Sequence, residues 1–279
     1  MTLDQARRKL RQRLEQTGIA EGGLEASLLL QRVTGLSGAQ LLARGGEELP
    51  LPQQEQLERL AGRRVAREPL QYILGEWEFM GLPFSLNQDT LIPRADTETL
   101  VETLLSHCPA DAAWRVWDLC CGSGCIGVSV AHYRPLVQVE MWDISPLAVE
   151  AANENARRNG VDRRCRAVLR DVLQSWPEGQ VDAILSNPPY IPTGELETLQ
   201  PEVQWEPRRA LDGGEDGMDF YRRMTRLYKE HLVAGGRLYY ECGMGQSGQL
   251  EKLLKQEGFS RVESVCDLAG IPRVVWGVH

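Results

Sequence analysis

The sequence predicts an α/β fold, in which a mostly parallel β-sheet follows a small N-terminal helical bundle. Two observations predict it. From about residue 91 onward, short β-branched and aromatic runs alternate with helical runs, and that alternation is typical of a parallel sheet. Residues 1–70 instead place apolar side chains at near-helical spacing. A chain of 279 residues has room for both parts.

Residues 1–70 are predicted to form four helices. The first begins at a capping box made by Thr2 and Gln5, continues through Leu10, and ends near Gly18. The other three are expected over residues 24–33, from Ser37 to Leu42, and from Pro52 to Val65. Short polar breaks between these segments favour a compact bundle.

Residues 71–90 are interpreted as a β-hairpin linker. The stretch PLQYILGEWEFMGLPFSL, which begins at Pro69, is rich in β-branched and aromatic residues, and Gly75 and Gly81 interrupt it. Apolar runs separated by glycine in this way are typical of paired strands.

Residues 91–279 are predicted to form the sheet domain. Strands are expected at 115–119, 137–142, 166–169, 181–186, 236–240, 259–265 and 273–278. Helices are expected near 124–133, 146–159 and 217–232. Ser145 is the expected N-cap of the second of these, with a proline in its first turn and Gly160 at its end. The last two strands flank the sequence DLAGIP, so they are expected to pair as a hairpin.

Charge separates the two parts of the chain. Residues 1–70 carry 11 Lys and Arg against 9 Asp and Glu, whereas the rest carries 20 against 30. The net charge of −8 argues against a protein that wraps a nucleic-acid backbone. The early positive charge is concentrated in one segment, at Arg7, Arg8, Lys9, Arg11 and Arg13. Those residues form either a solvated helix face or a contact surface for an acidic or RNA-bearing partner.

Cysteine usage and hydropathy indicate a cytoplasmic protein. The seven cysteines are odd in number and irregularly spaced, with Cys120 next to Cys121, so we expect reduced thiols rather than a disulfide framework. No run approaches the ~20 apolar residues that span a bilayer. The charged, periodic N-terminal segment does not have the pattern of a signal peptide or membrane anchor.

A glycine cluster follows the first predicted strand of the sheet. Gly122, Gly124 and Gly127 satisfy a G-x-G-x-x-G pattern, and Asp143 lies 19 residues after Gly124. Glycines let the backbone approach a ligand at a helix N-terminus, and the later acid can hold a ribose diol. The spacing predicts a nucleoside-bearing cofactor. Asp118, just before the glycines, would repel a pyrophosphate but could meet an ammonium group, which argues against NAD.

The segment Asn187-Pro188-Pro189-Tyr190 is the most specific signal in the chain. Two prolines fix the backbone and remove two N–H donors. The Asn187 side-chain carbonyl and the Pro188 backbone carbonyl remain as acceptors, and Tyr190 adds a flat face for stacking. Such a site would accept both hydrogens of a planar NH₂ group. The alternative interpretation is a rigid turn, which Asn-Pro and Pro-Pro commonly form.

Several stretches together resemble the release factor glutamine methyltransferases (the HemK/PrmC family). They are TLIPRADTETLVE, DLCCGSG, MWDISPLAVEAANENA, SNPPYI, EPRRALDGGEDGMDFYR and DLAGIPRVVWG. The resemblance implies S-adenosylmethionine-dependent N5-methylation of the glutamine in the Gly-Gly-Gln loop of class 1 peptide chain release factors, which modulates translation termination. It also implies a Rossmann-like methyltransferase sheet of seven strands, with an antiparallel last hairpin, behind a helical domain that recognises the substrate.

The resemblance also implies roles for individual residues. The cofactor would be bound by Asp118, Cys120, Cys121, Gly122, Ser123, Gly124, Asp143, Asp171, Val172 and Asn187. The acceptor glutamine would be bound by Asn187, Pro188, Pro189 and Tyr190, of which Asn187, Pro188 and Tyr190 would act in catalysis. Three positions depart from the usual family pattern: Cys120 stands in place of a glycine, Val172 in place of an aromatic found in some relatives, and Ala95 in place of a proline.

Two other functions are weighed against this one. Adenine-N6 and cytosine-N4 methyltransferases use similar Pro-Pro-aromatic motifs, but they need a positive track for the nucleic-acid backbone, and residues 71–279 are net negative. A dehydrogenase-like scaffold would not require the Asn187–Tyr190 segment. The adjacent cysteines are poor chelators and no histidine has zinc-site spacing, so no metal is expected.

Overall fold

The computed structural model describes residues 1–174 and 178–279, which divide into two compact units. One unit comprises Met1–Gly75 together with Gln200–Trp205. The other comprises Glu76–Leu199 and Glu206–His279. Among the described residues, no helix is both long enough and apolar enough to cross a membrane.

The first unit is helical. Its helices are α1 (Leu3–Gln16), α2 (Gly22–Thr34), α3 (Gly38–Ala43), α4 (Leu51–Val65) and α5 (Leu70–Leu74). The predicted capping box at Thr2 is confirmed, because its hydroxyl accepts from the Gln5 amide while the Gln5 side chain accepts from the Thr2 amide. Ser37 makes the same arrangement at the start of α3. Buried apolar side chains on α1, α2 and α4 form the core of this unit.

A buried ion-pair cluster holds the segment Gln200–Trp205 in the helical unit. Arg64, on α4, is only 4% exposed, and its guanidinium binds Glu25 at 2.6 Å and Glu202 at 2.9 Å. Arg67 donates to the other carboxylate oxygen of Glu202 at 2.8 Å. A buried arginine needs such partners, because an unpaired charge in the interior is very costly. Nothing in the local sequence pattern predicted this cluster.

The second unit contains a two-stranded and a seven-stranded sheet. Its strands are β1 (Glu76–Phe79), β2 (Leu82–Ser85), β3 (Arg115–Leu119), β4 (Gln138–Asp143), β5 (Cys165–Leu169), β6 (Val181–Ser186), β7 (Leu232–Glu241), β8 (Ser260–Cys266) and β9 (Pro272–Val278). Its helices are α6 (Ala95–His107), α7 (Cys125–Tyr133), α8 (Pro146–Arg158), α9 (Asp219–Tyr228) and α10 (Ser247–Gln256), with short 3₁₀ turns at Thr193–Thr198, Arg208–Ala210 and Lys229–His231.

The large sheet has the order β5-β4-β3-β6-β7-β9-β8. The first five of these strands are parallel, and β9 is antiparallel to both of its neighbours. Side chains of α6, α7 and α8 cover one face, and those of α9 and α10 cover the other. The predicted seven-stranded α/β sheet with an antiparallel last hairpin is therefore confirmed. In this order β4 lies on one side of β3 and β6 lies on the other, so the strand order reverses at β3. Open α/β sheets bind ligands at such a point, at the carboxyl ends of the strands.

The structure corrects several predicted elements. The hairpin is confined to β1 and β2, because Leu70–Leu74 forms α5 and ends at Gly75, whose φ of 76° stops the helix. The helix predicted to reach residue 232 ends at Tyr228, and β7 begins at Leu232 rather than at residue 236. Helices α6 and α10 were not predicted.

Candidate active site

The glycines after β3 serve two different purposes. Gly124 has a φ of 77° and precedes α7, and a Cβ there would lie 2.9 Å from the Cβ of Ala152. A Cβ at Gly127 would lie 2.7 Å from Met141. Both are therefore required for the close packing of α7 against α8 and β4. Gly122 has a φ of 52° but ample space around it, and it faces a cavity instead.

Cys120 occupies a backbone conformation that favours glycine. Its φ is 62°, in the left-handed region, although it carries a side chain. The resemblance to the methyltransferase family implies a glycine at this position, and a positive φ is the conformation that glycine adopts without strain. Cys120 tolerates the conformation at a cost of backbone strain.

Asp143 stands at the end of β4 and accepts two backbone hydrogen bonds. The amide of Gly122 donates to Oδ2 and the amide of Ser145 donates to Oδ1, each at 2.9 Å. Burial raises the pKa of the Asp143 carboxyl, and these two bonds lower it in part. Each carboxylate oxygen keeps a second lone pair, so two further hydroxyl donors can be accommodated.

Asp118 is completely buried at the end of β3. Its Oδ2 accepts from the amide of Gly127 at 2.9 Å, and its Oδ1 has no hydrogen-bond partner in the described part of the chain. Burial is the main cause that raises its pKa to about 7, and the nearby Asp143 charge raises it further.

A cavity of about 230 Å³ lies at the carboxyl ends of the parallel strands. Seven predicted site residues line it, namely Cys120, Gly122, Asp143, Asp171, Val172, Asn187 and Pro189. A smaller cavity of about 30 Å³ is lined by Cys121 and Ser123 as well as by Cys120, Gly122 and Asn187. The predicted residues Asp118, Gly124, Pro188 and Tyr190 line neither of these two cavities.

Asn187 follows β6 and lines both cavities. Its Nδ2 donates to the hydroxyl of Thr97 at 3.4 Å. Its Oδ1 is buried and accepts no hydrogen bond from any described residue. An unpaired buried carbonyl oxygen is costly, so this atom is available for a donor that is not part of the protein.

The backbone of Tyr190 is held by a hydrogen bond, and its ring is closely packed. The side chain of Gln246 donates to the Tyr190 carbonyl at 2.9 Å. The ring lies beside Gly243, where a Cβ would approach it to 3.0 Å. Burial raises the pKa of the Tyr190 phenol above its ordinary value, so the hydroxyl stays protonated near neutral pH.

The structure adds site residues that the sequence interpretation missed. Asp89 and Arg209 line the larger cavity and pair with each other at 2.5 Å. Phe220, on α9, also lines it and supplies an aromatic ring to the cavity in which Val172 is aliphatic. Thr97, on α6, lines the smaller cavity. Each lies inside a stretch that carried the family resemblance or next to it, and that was the only available signal.

The loop cysteines have the character of buried thiols. All seven cysteines are free, and burial raises the pKa of Cys120 and Cys121 well above the ordinary range, so these two are protonated near neutral pH. Among residues 1–174 and 178–279, no group of three or more His, Cys, Asp or Glu side chains is arranged to hold a metal ion.

Comparisons with known proteins match both parts of the chain. A family model described as "PrmC N-terminal domain" matches residues 5–75, and one described as "Methyltransferase small domain" matches residues 94–204. The solved structure of a methyltransferase from Pyrococcus furiosus covers 80% of this chain and 97% of its own, with a TM-score of 0.54 at 15% identity. That likeness supports the fold assignment.

Three similar relatives are each named release factor glutamine methyltransferase. The protein from Geobacter sulfurreducens is 42% identical, and the match covers 95% of this chain and 92% of the relative. The protein from Neisseria gonorrhoeae is 41% identical over 92% and 93%. The protein from Moorella thermoacetica is 40% identical over 98% and 97%. This chain therefore belongs to the family of release factor glutamine methyltransferases.

Proposed function

We propose that this protein methylates the side-chain amide nitrogen (N5) of the glutamine in the Gly-Gly-Gln motif of class 1 peptide chain release factors, with S-adenosyl-L-methionine as the methyl donor. The reaction would modulate translation termination in the cytoplasm and would leave S-adenosyl-L-homocysteine. The relatives' names supply the reaction class. The observation in this chain that carries the proposal is the buried Oδ1 of Asn187, which lies beside the cavity and has no partner among residues 1–174 and 178–279.

The cavity residues fit the methyl donor. Asp143 has lone pairs free for the two ribose hydroxyls, while Asp171, Val172 and Phe220 line the region proposed for adenine. The smaller cavity, where the Ser123 hydroxyl has no partner among the described residues, would take the methionine end. When bound, S-adenosylmethionine supplies an electrophilic methyl group on a sulfonium. No metal is required for that chemistry.

Asn187 and Pro188 would bind the acceptor amide. An amide nitrogen is a poor nucleophile because its lone pair is delocalised into the carbonyl. Asn187 Oδ1 and the Pro188 carbonyl would each accept one of its hydrogens, which would leave the lone pair free to face a bound methyl donor. As positive charge develops on the nitrogen these hydrogen bonds strengthen, so they favour the transition state over the ground state.

Pro189 and Tyr190 would complete the acceptor site. The consecutive prolines hold the segment after β6 in one backbone conformation, so the two acceptors need not be ordered during the reaction. Tyr190 offers a flat face against the planar amide. After transfer the nitrogen is acidic and loses its extra proton readily, and none of the four histidines lines either cavity.

One experiment tests the proposed function directly. The protein is incubated with methyl-labelled S-adenosylmethionine and a purified class 1 release factor, and the label is located by peptide mass. We expect one methyl group on the glutamine of the Gly-Gly-Gln peptide and none on a release factor in which that glutamine is alanine. Parallel reactions with DNA and RNA test the amino-methyltransferase alternative. Label on adenine or cytosine, without label on the release factor, would overturn the proposal.

A further inference from the structure

We propose that Asn155, on α8, is a positioning residue for the methyl donor. Its side-chain amide holds the peptide group that joins Ser123 to Gly124, in the turn beside the smaller cavity. The inference rests on the proposed function, because that cavity is the one proposed for the methionine end of S-adenosylmethionine. Asn155 lines neither of the two cavities, so it acts through Ser123 and not by contact with the donor.

The side chain of Asn155 makes three hydrogen bonds. Its Oδ1 accepts from the Ser85 amide at 2.7 Å, and its Nδ2 donates to the Ser85 carbonyl at 3.0 Å. Nδ2 also donates to the Ser123 carbonyl at 2.9 Å. Asn155 is completely buried, so water does not readily replace any of these contacts. A primary amide has two N–H donors and both are used here, which explains why an asparagine stands at this position of the helix.

Two of these three bonds attach the β1–β2 hairpin to α8. Ser85 is the last residue of β2, and Asn155 binds its backbone amide and carbonyl as a neighbouring strand would. Other side chains at the end of the same helix hold the hairpin as well. Asn159 donates to the Pro83 carbonyl and Arg158 donates to the Ser85 hydroxyl, each at 3.0 Å. The bond from Asn155 to Ser123 is not needed for that attachment.

The bond to Ser123 fixes the direction of one peptide group in a tight turn. Gly122 and Gly124 flank Ser123, and glycines allow many backbone conformations, so contacts outside the turn are needed to select one. The amide of Gly124 donates to the Cys121 carbonyl at 2.8 Å. The same planar peptide group carries the Ser123 carbonyl, which Asn155 binds at the other end. Rotation of this group would therefore break both hydrogen bonds.

The direction of this peptide group determines where the Ser123 hydroxyl lies. Ser123 is 2% exposed and lines the smaller cavity, and its hydroxyl has no hydrogen-bond partner among residues 1–174 and 178–279. A buried hydroxyl without a partner is costly, so this one is available to a polar group of a ligand. The methionine end offers an ammonium and a carboxylate group. Asn155 therefore holds the turn in the binding conformation before the donor arrives, which lowers the entropic cost of binding.

Two ligands separate an effect on Ser123 from an effect on the whole cavity. S-adenosylhomocysteine carries the amino-acid end, whereas 5′-methylthioadenosine has the nucleoside and the sulfur but lacks that end. We expect Asn155→Ala to weaken S-adenosylhomocysteine binding about tenfold and 5′-methylthioadenosine binding by less than about twofold, since one hydrogen-bonded contact is lost. Titration calorimetry measures both dissociation constants. In the methylation reaction, the KM for S-adenosylmethionine should rise while kcat at saturating donor stays near the wild-type value.

Asn159→Ala is the matched control, because it removes a bond between the same helix and the hairpin and does not contact Ser123. It should leave both dissociation constants unchanged. Equal weakening of the two ligands in Asn155→Ala, or equal effects of Asn155→Ala and Asn159→Ala, would overturn the inference, because Asn155 would then act through the fold as a whole. A folded Asn155→Ala protein that binds S-adenosylhomocysteine as tightly as the wild type would overturn it too.

Ser123→Ala decides the matter if Asn155→Ala does not fold. This variant keeps the carbonyl that Asn155 binds and removes only the hydroxyl. It should weaken S-adenosylhomocysteine and leave 5′-methylthioadenosine unchanged, and wild-type affinity for both ligands would overturn the inference. A wild-type protein that binds S-adenosylhomocysteine but leaves the release factor unmethylated would overturn the proposed function, while the comparison of the two ligands would still decide the role of Asn155.

Discussion

The amide of Gly122 donates a 2.9 Å hydrogen bond to Oδ2 of Asp143. The turn after β3 and the end of β4 are therefore tied together through one carboxylate, which also receives the amide of Ser145. Asp143 therefore shapes the loop that faces the cavity, and its remaining lone pairs are the ones proposed to bind the ribose hydroxyls.

Asp143→Ala should weaken S-adenosylmethionine binding by ~1.5–3 kcal/mol, the range for hydrogen bonds to a charged group. Titration calorimetry measures the change directly. Asp143→Asn is the matched control, because it keeps an oxygen acceptor and nearly the same shape, and it should lose less. An unchanged dissociation constant for Asp143→Ala would contradict the proposal that Asp143 binds the ribose hydroxyls.

Replacement of Cys120 tests the strain in the loop. A side chain in the left-handed region costs ~1–2 kcal/mol, and the greater unfolded-state freedom of glycine offsets ~0.5–1 kcal/mol of the gain. The free energy of unfolding of Cys120→Gly should therefore exceed that of Cys120→Ala, which retains the Cβ, by about 1 kcal/mol. Denaturant unfolding of both variants measures this difference. Equal unfolding free energies for the two variants would show that the loop relaxes around the side chain.

Asn187→Ala removes the proposed acceptor without altering the methyl-donor loop. Because the interaction is realised mainly in the transition state, kcat should fall by ~10²–10³-fold, by analogy with loss of one polar group from an oxyanion-type site. Single-turnover kinetics with saturating S-adenosylmethionine gives the number. Asn187→Asp retains an acceptor oxygen and should keep partial activity. Wild-type rates in both variants would show that the Asn187–Tyr190 segment is a turn and not an acceptor site.

Glu241 should make stability depend on pH. Its pKa is about 7 in the folded protein and 4.5 ordinarily, so the folded state holds a proton that the unfolded state has lost between these values. This group's contribution to stability is therefore lost as pH rises from about 4.5 to about 7. Relative to wild type, Glu241→Gln should gain up to about 3 kcal/mol between pH 4.5 and pH 8. Denaturant unfolding of both proteins at the two pH values measures this, and a pH-independent difference would contradict the assignment.

Arg64→Ala should destabilise the helical unit by about 3 kcal/mol, because it leaves Glu25 without its cationic partner and Glu202 with Arg67 alone. Arg44→Ala is the matched control, since Arg44 is 46% exposed and pairs with the exposed Glu47 three residues away. It should leave the unfolding transition nearly unchanged. The comparison is made by circular dichroism on heating, and equal transitions for the two variants would argue against a structural role of the cluster.

The strands and the glycine-containing turn after β3 were predictable from the sequence because their signals are local. Alternation of apolar runs marks β3 to β6, and cap residues mark α1 and α3. Helix α10 was missed because Gln246 provides no side-chain cap and Gly248 lies in its first turn. Its stability comes from burial of Leu250 and Leu254 against the sheet, which no local rule reports.

Residues of the candidate site could be predicted where they are contiguous in sequence, and could not be where the fold brings them together. Asn187 and Asp143 each lie in a recognisable segment at the end of a strand. Thr97 and Phe220 reach the two cavities from α6 and α9, which are distant in sequence, so their proximity exists only in the folded chain. The burial of Asp118 away from both cavities is likewise a property of packing that residue spacing does not contain.

The participation of Gln200–Trp205 in the helical unit has a consequence for the nascent chain. Glu202 follows its partner Arg64 by 138 residues, so at the ~5–20 residues per second of protein synthesis it is added about 7–28 s later. During that interval the helices made first contain an arginine that still lacks one of its carboxylates. The N-terminal unit, although synthesised first, is therefore completed only after most of the catalytic sheet has left the ribosome.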